Sequence, residues 1–315
     1  MKLVSFKIDT QECRVGILAG DLVIDVVASA RHHGVCGDIG RDMRSLIRAC
    51  VDGTVELDRL ASSAPSEASY ELSTVRLDAP IMPSTILCAG SNYRAHNSEK
   101  ANTPLSGKEP EFFVKTADSV VGPDSAIIFD GALTQKLDCE TELAVVIGKP
   151  GRHIPVKAAL DHVFGYTIVN DVTARDRQVR TAPNGTVWYE LGRGKAFDTS
   201  APLGPVIVTA DEILDPQSLQ ISTRINGELR QNCATSDMIW TCAELIHFFS
   251  INFTLRPGMV IITGSPAGTA WSADSELGGV WAGKDGLVRA TRYCLPGDII
   301  ECQIDRIGTL RNSVV

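Results

Sequence analysis

Glu140 and Glu142 stand two residues apart at the head of the apolar run 143–147, and Asp171 closes a second apolar run, 164–169. On a strand, side chains two apart project from the same face, so the two glutamates share one. If the strand ends meet, three carboxylates converge, and a hard divalent cation is the usual remedy for their repulsion. The Glu140/Glu142 pair alone equally fits a solvent-facing strand. The neighbourhood argues further: residues 143–147 are apolar without alternation, as on a strand buried on both faces. Acids entering such a strand need partners. Oxygen-only donors point to Mg²⁺ or Mn²⁺, with Ca²⁺ a third candidate, and away from Zn²⁺.

Three further groups could join that chemistry. His96 and Glu99, three apart in a helical turn, can touch. A carboxylate beside an imidazole fixes its tautomer and makes a general base, although the same spacing also fits a surface contact. The polar stretch 100–110 after it, with Pro104, Gly107 and Pro110, reads as a flexible lid. Arg175, Gln178 and Lys195 form the next group, with an Arg175–Asp176 ion pair as the structural alternative. Lys195 lies in a glycine-bearing loop, 192–198, whose backbone can approach a ligand. Last comes the run 263–269, Thr-Gly-Ser-Pro-Ala-Gly-Thr, whose backbone N–H groups and hydroxyls could hold an anion.

The elements that must position these groups are mostly short strands. The 315 residues are 44% hydrophobic and 22% charged, enough for a sizeable core in one or two domains. The net charge of -8 gives no footprint for a nucleic-acid partner. The first residues lack the pattern of a signal peptide, and no apolar stretch is long enough for a transmembrane helix. Nine scattered cysteines without a CxxC read as free thiols in a reducing compartment, so a cytoplasmic protein is expected. Short strands fill residues 1–28, and residues 40–62 carry apolar side chains at helical spacing. The small polar run 63–70 reads as a linker. A small N-terminal domain (1–75) and a larger one (76–315) are expected. In the second, apolar runs alternate with Gly/Pro turns, and few helices are long: 157–163, 174–179 and 241–251. Two Pro-Gly turns, at 257–258 and 296–297, each feed an apolar strand and read as similar hairpin entries rather than a repeat.

With these pieces in order, residues 80–315 resemble the fumarylacetoacetate hydrolase superfamily. The resemblance is carried by Asn92-Tyr93-x-x-His96-x-x-Glu99 and by Glu140-x-Glu142 with its following strand. It continues in 165–176 ending Asn170-Asp171-Val172-Thr173-Ala174-Arg175-Asp176, in Asn226-Gly227-Glu228, and in Pro296-Gly297-Asp298 through Asn312. The first 75 residues resemble the small extra domain of bacterial-type members. The resemblance implies an α+β, mainly β fold: a mixed β-sandwich roll with a small α/β N-terminal domain, in a homodimer. It implies Mg²⁺ or Mn²⁺ on Glu140, Glu142 and Asp171, with His96 and Glu99 as a water-activating dyad. Lys195 would act with them, and Tyr93, Arg175, Gln178 and Ser265 would contact substrate. Where the family commonly has Thr in Gly-Thr-Pro, Ser265 keeps the hydroxyl. The activity implied is metal-dependent hydrolysis of a C–C bond in an acylpyruvate or related 2,4-dioxo acid, through a metal-stabilised enolate. The alternative is an oxo-acid decarboxylase, isomerase or dehydratase on the same enolate. The segment 269–286 looks longer than in minimal members. Its Trp271 and Trp281 either line a pocket or pack against the N-terminal domain or a partner subunit.

Overall fold

The computed structural model describes the chain except residues 10, 36, 100–108, 282, 284 and 285. Its centre is the strand Thr141–Ile147, in which every residue is buried. It pairs antiparallel with Val163–Asn170 on one side and with Val260–Ile262 on the other. Val260–Ile262 pairs in turn, parallel, with Ile86–Gly90, and the edge strand Glu111–Lys115 completes that side of a twelve-stranded sheet. The unalternating apolar run of the sequence follows from this position, with neighbours in the sheet and layers on both faces.

Alternate side chains of the central strand enter two cores. Leu143, Val145 and Ile147 meet Ile221, Ile225 and Ile300 of a second, five-stranded sheet. Ala144 and Val146 face a cluster containing Met43, Leu46 and Ile47 of the N-terminal helix Met43–Val51. The result is a sandwich with helices on its outer side, the mixed, mainly β architecture expected.

The N-terminal strands do not form a sheet of their own. Lys2–Lys7 pairs with Ala201–Thr209 of the large sheet, and also with Arg14–Ala19 and Arg76–Asp78. The polar run at 63–70 holds a short 3₁₀ turn and the start of the strand Ser69–Glu71, which pairs with Leu22–Asp25 at a sheet edge. Its polar composition reflects that edge, not a free tether. The helical stretch read over 40–62 is two helices, Met43–Val51 and Leu57–Ser62. Asp42 caps the first through the Ser45 N–H, 2.7 Å away. Gly53 ends it: at φ 71° it turns the chain left-handed, and the Thr54 N–H reaches back to the Ala49 carbonyl. Of the other expected helices, 157–163 is the 3₁₀ segment Val156–His162, and the remaining two are Arg175–Gln178 and Cys242–Asn252. The two Pro-Gly turns feed different sheets, which fits two hairpin entries. No helix among the described residues is long and apolar enough to cross a membrane.

Candidate active site

The register of the two central strands builds the acidic cluster. Thr141 lies opposite Asn170, which sets Glu140 beside Asp171 just beyond the pairing, and the Asp171 N–H donates to the Glu140 carbonyl at 2.8 Å. Glu142, two residues on, shares Glu140's face. All three carboxylates are at most 2% exposed.

Their counter-charges come from other elements. Lys195, from the short helix Leu191–Lys195, places its ammonium against Glu140 Oε2 and 2.6 Å from Asp171 Oδ2. Arg175 NH2 lies 2.9 Å from Glu140 Oε1, its Nε donates to Asp138 Oδ2 at 2.9 Å, and NH1 donates to Gln178 Oε1 at 2.9 Å. The alternative Arg175–Asp176 pair does not form: Asp176 accepts instead from Thr134 and from the Gln135 N–H. Burial pushes the Glu140 carboxyl up, but the Arg175 and Lys195 charges outweigh it and hold the group well below the usual range. Glu142 goes the other way, because burial and the charges of Asp171 and Glu140 drive it well above. Burial alone would lower the Lys195 ammonium, yet Asp171 and Glu140 hold it above an ordinary lysine.

The loop 263–269 does hold anions, but they are the protein's own. The Gly264 N–H donates to Glu142 Oε2 at 2.7 Å and the Ser265 hydroxyl to Glu140 Oε1 at 2.9 Å. The Gly268 N–H donates to Glu99 Oε1 at 2.8 Å. Gly268 sits at φ 109°, and a Cβ there would lie 1.9 Å from the Arg230 carbonyl oxygen, so glycine is required for that reach.

His96 stands at the end of the turn Arg94–Asn97, and its Nδ1 is 2.8 Å from Glu99 Oε2. That carboxylate assigns the proton to Nδ1 and leaves the Nε2 lone pair free toward the cavity. Nε2 is 3.8 Å from Glu140 Oε1, so the dyad and the acidic cluster adjoin one another.

One small cavity joins these groups. His96, Glu140, Glu142, Lys195, Ser265 and Trp271 line it, together with Arg175 and Gln178. Trp271 packs edge-on to His96 at 6.0 Å between ring centroids and over the Arg175 guanidinium at 5.5 Å. Of the two tryptophans it is the one in the cavity wall; Trp281 is not in it. Tyr93, expected to touch substrate, is not in it either. Its backbone bridges to Met238, and its fully buried ring packs in the core between the sheets. The expected lid falls almost wholly on residues 100–108, outside the described residues. Sequence reading missed Asp138, which accepts from the Ala270 and Trp271 N–H groups as well as from Arg175. Its place two residues before Glu140, on the same side of the chain, was the available signal. It also missed Lys115 and the cavity-wall residues Tyr189 and Phe113.

The donor set fits a hard divalent cation. It is all oxygen, buried, and carries surplus negative charge that shows at Glu142. Among the described residues no ready-made cage of three or more His, Cys, Asp or Glu side chains is present. The Lys195 ammonium supplies the positive charge between Glu140 and Asp171.

Residues 85–315 match the family model for the C-terminal domain of fumarylacetoacetate (FAA) hydrolase, and the chain belongs to that family of enzymes. Oxaloacetate tautomerase YisK of Bacillus subtilis is 42% identical over 247 residues, 78% of this chain and 75% of the relative. The fumarylacetoacetate hydrolase of Exiguobacterium antarcticum superposes with a TM-score of 0.75 at 34% identity, covering 100% of this chain and 99% of that one. A maleylpyruvate hydrolase of Sphingobium sp. SYK-6, in complex with manganese(II) and pyruvate, superposes at 0.72 with 27% identity and the same coverage.

Proposed function

We propose that this protein interconverts the enol and keto forms of a short 2-oxo acid of the oxaloacetate type. The observation that carries this is the His96–Glu99 dyad, whose free Nε2 faces a cavity that Glu140, Glu142 and Lys195 also line. The tautomerase relative, at 42% identity, supports proton transfer in place of the C–C hydrolysis expected from the sequence. Tautomerisation moves one proton from an enol oxygen to the neighbouring carbon, or back. His96 Nε2 accepts the proton from one position and returns it to the other. Glu99 stabilises the imidazolium that forms between the two transfers. Lys195, held protonated by Asp171 and Glu140, offers positive charge to the enolate oxygen.

Glu140, Glu142 and Asp171 would hold Mg²⁺ or Mn²⁺, which supplies Lewis-acid stabilisation of the enolate when bound. Gln178, in the cavity wall, is positioned to donate its side-chain amide to the substrate carboxylate, while the Ser265 hydroxyl stays on Glu140 Oε1. A second reading, hydrolysis of an acylpyruvate, is favoured by the manganese- and pyruvate-bound hydrolase relative. In it His96 would deprotonate water instead of carbon.

The test follows enol decay of oxaloacetate and pyruvate release from acylpyruvates, with Mn²⁺, in wild type and His96→Ala. Fast enol–keto exchange without pyruvate release, lost in the variant, is the expected result. Pyruvate release as the faster reaction would favour the hydrolase. Equal rates in wild type and variant would sink both.

A further inference from the structure

Lys115 ends the edge strand Glu111–Lys115, and it is 0% exposed. The strand alternates: Phe112 and Val114 point outward, Phe113 and Lys115 inward. A charged residue at an inward position normally costs stability unless every donor is used. Here the ammonium donates to the Ser200 carbonyl at 2.9 Å, the Ser200 hydroxyl at 3.0 Å and the Val172 carbonyl at 3.4 Å. It also donates to the Lys195 carbonyl and pairs with Asp171 Oδ1 at 2.9 Å. Lys115 does not line the cavity. Its side chain therefore works behind the site, joining Asp171 to both ends of residues 195–200. The Ser200 hydroxyl completes the joint by donating to the Lys195 carbonyl at 2.9 Å.

We propose that Lys115 is a positioning residue for the candidate metal site. It holds Asp171 by Oδ1, so that only Oδ2 is presented beside Glu140. It also anchors the Lys195 backbone, so that the Lys195 ammonium enters the same cluster. Asp171 is thereby limited to one-oxygen ligation. This inference rests on the reading that Glu140, Glu142 and Asp171 bind a divalent cation.

Charge and position predict opposite signs, which makes the idea testable. A buried positive charge beside a ligand repels a cation, so removing it on charge grounds alone tightens binding. Loss of orientation of a ligating carboxylate weakens binding, typically by about ten- to a hundredfold. Mn²⁺ affinity is measured by titration calorimetry and electron paramagnetic resonance on chelator-stripped full-length wild type, Lys115→Met and Ser200→Ala, with a melting curve for each. The expected result is Mn²⁺ binding by wild type, weakened about tenfold or more in Lys115→Met and by a smaller factor in Ser200→Ala. Tighter binding by Lys115→Met would overturn the inference, as would unchanged affinity with a lowered melting temperature. Should Lys115→Met fail to fold, Ser200→Ala decides, and unchanged affinity there overturns it. Wild type that binds no Mn²⁺ would remove the metal reading, and this inference with it. Wild type that binds while the variants match it removes this inference alone.

Discussion

Glu99 has both carboxylate oxygens committed, one to His96 and one to the Gly268 N–H. Replacing it with Gln keeps the shape and one acceptor but removes the charge that stabilises a protonated His96. The Glu99→Gln variant should lose about ten- to a hundredfold in kcat, the lower range for general acid–base catalysis. KM should move little, and the melting temperature should fall modestly, because the buried Gln amide must turn its NH2 toward one of the two N–H donors. A large rise in KM with kcat intact, measured on the oxaloacetate enol, would place Glu99 in substrate binding instead. At this scale the sequence was legible where spacing and secondary structure agree: His96 and Glu99 meet because a helical turn brings residues three apart together. The cluster of Glu140, Glu142 and Asp171 was legible because an apolar, unalternating strand with acids at its head has nowhere to put them but against partners. Tyr93 was not legible, because a motif position does not say whether a ring faces the cavity or the core.

The segment from Arg175 to Lys195 shows what an element adds to its residues. Gly194 passes directly over Gln178, and a Cβ there would lie 2.6 Å from the Gln178 Cβ and 2.8 Å from its backbone nitrogen. The contact is with backbone as well as side chain, so it cannot be relieved by a rotamer change. Gly194→Ala should push Lys195 out of the acidic cluster and lower kcat by at least about tenfold, an effect of the kind small misplacements produce. A variant with wild-type kinetics would show that the Lys195 ammonium need not sit where it does. On the central strand, Leu143→Ala should cost about 2–5 kcal/mol in urea unfolding, the range for emptying a core leucine site, because Leu143 is fully buried between the two sheets. The strands themselves were readable from apolar runs and Gly/Pro turns. Lys115 and Asp138 were hidden for one physical reason: a charge buried by long-range pairing looks in sequence like any surface charge, and its partners lie 56 and 37 residues away, at Asp171 and Arg175.

For the molecule as a whole, acid stability offers one measurement and the N-terminal residues another. Asp298 is held at about 2, first by its hydrogen bonds to Arg292 at 2.6 and 2.7 Å and then by Asn226 against the opposing effect of burial. A depressed carboxyl contributes stability that is fully present above its unfolded value and is lost as pH falls through the folded one. The contribution is roughly 1–2 kcal/mol after allowance for the half-exposed Arg292. It should therefore disappear between about pH 4 and 2, and Asp298→Asn should be less stable than wild type at neutral pH, with the gap closing at pH 2. The reading of residues 1–75 as a separate small domain meets a harder test. Lys2–Lys7 pairs through Lys2 and Leu3 with Val208 and Ile207 of Ala201–Thr209, a strand that also pairs with Val163–Asn170 beside the acidic cluster. Helix Met43–Val51 covers Ala144 and Val146, two and four residues past Glu142 and on the same face of the strand. Removing residues 1–75 would bare that apolar face and an unpaired strand edge, which invites edge-to-edge association. The fragment 76–315 should aggregate or melt well below the full chain, and should bind Mn²⁺ more weakly if it folds at all. A soluble fragment with the melting temperature and Mn²⁺ affinity of the intact protein would establish the first 75 residues as an appendage, with the candidate site supported wholly from within the rest.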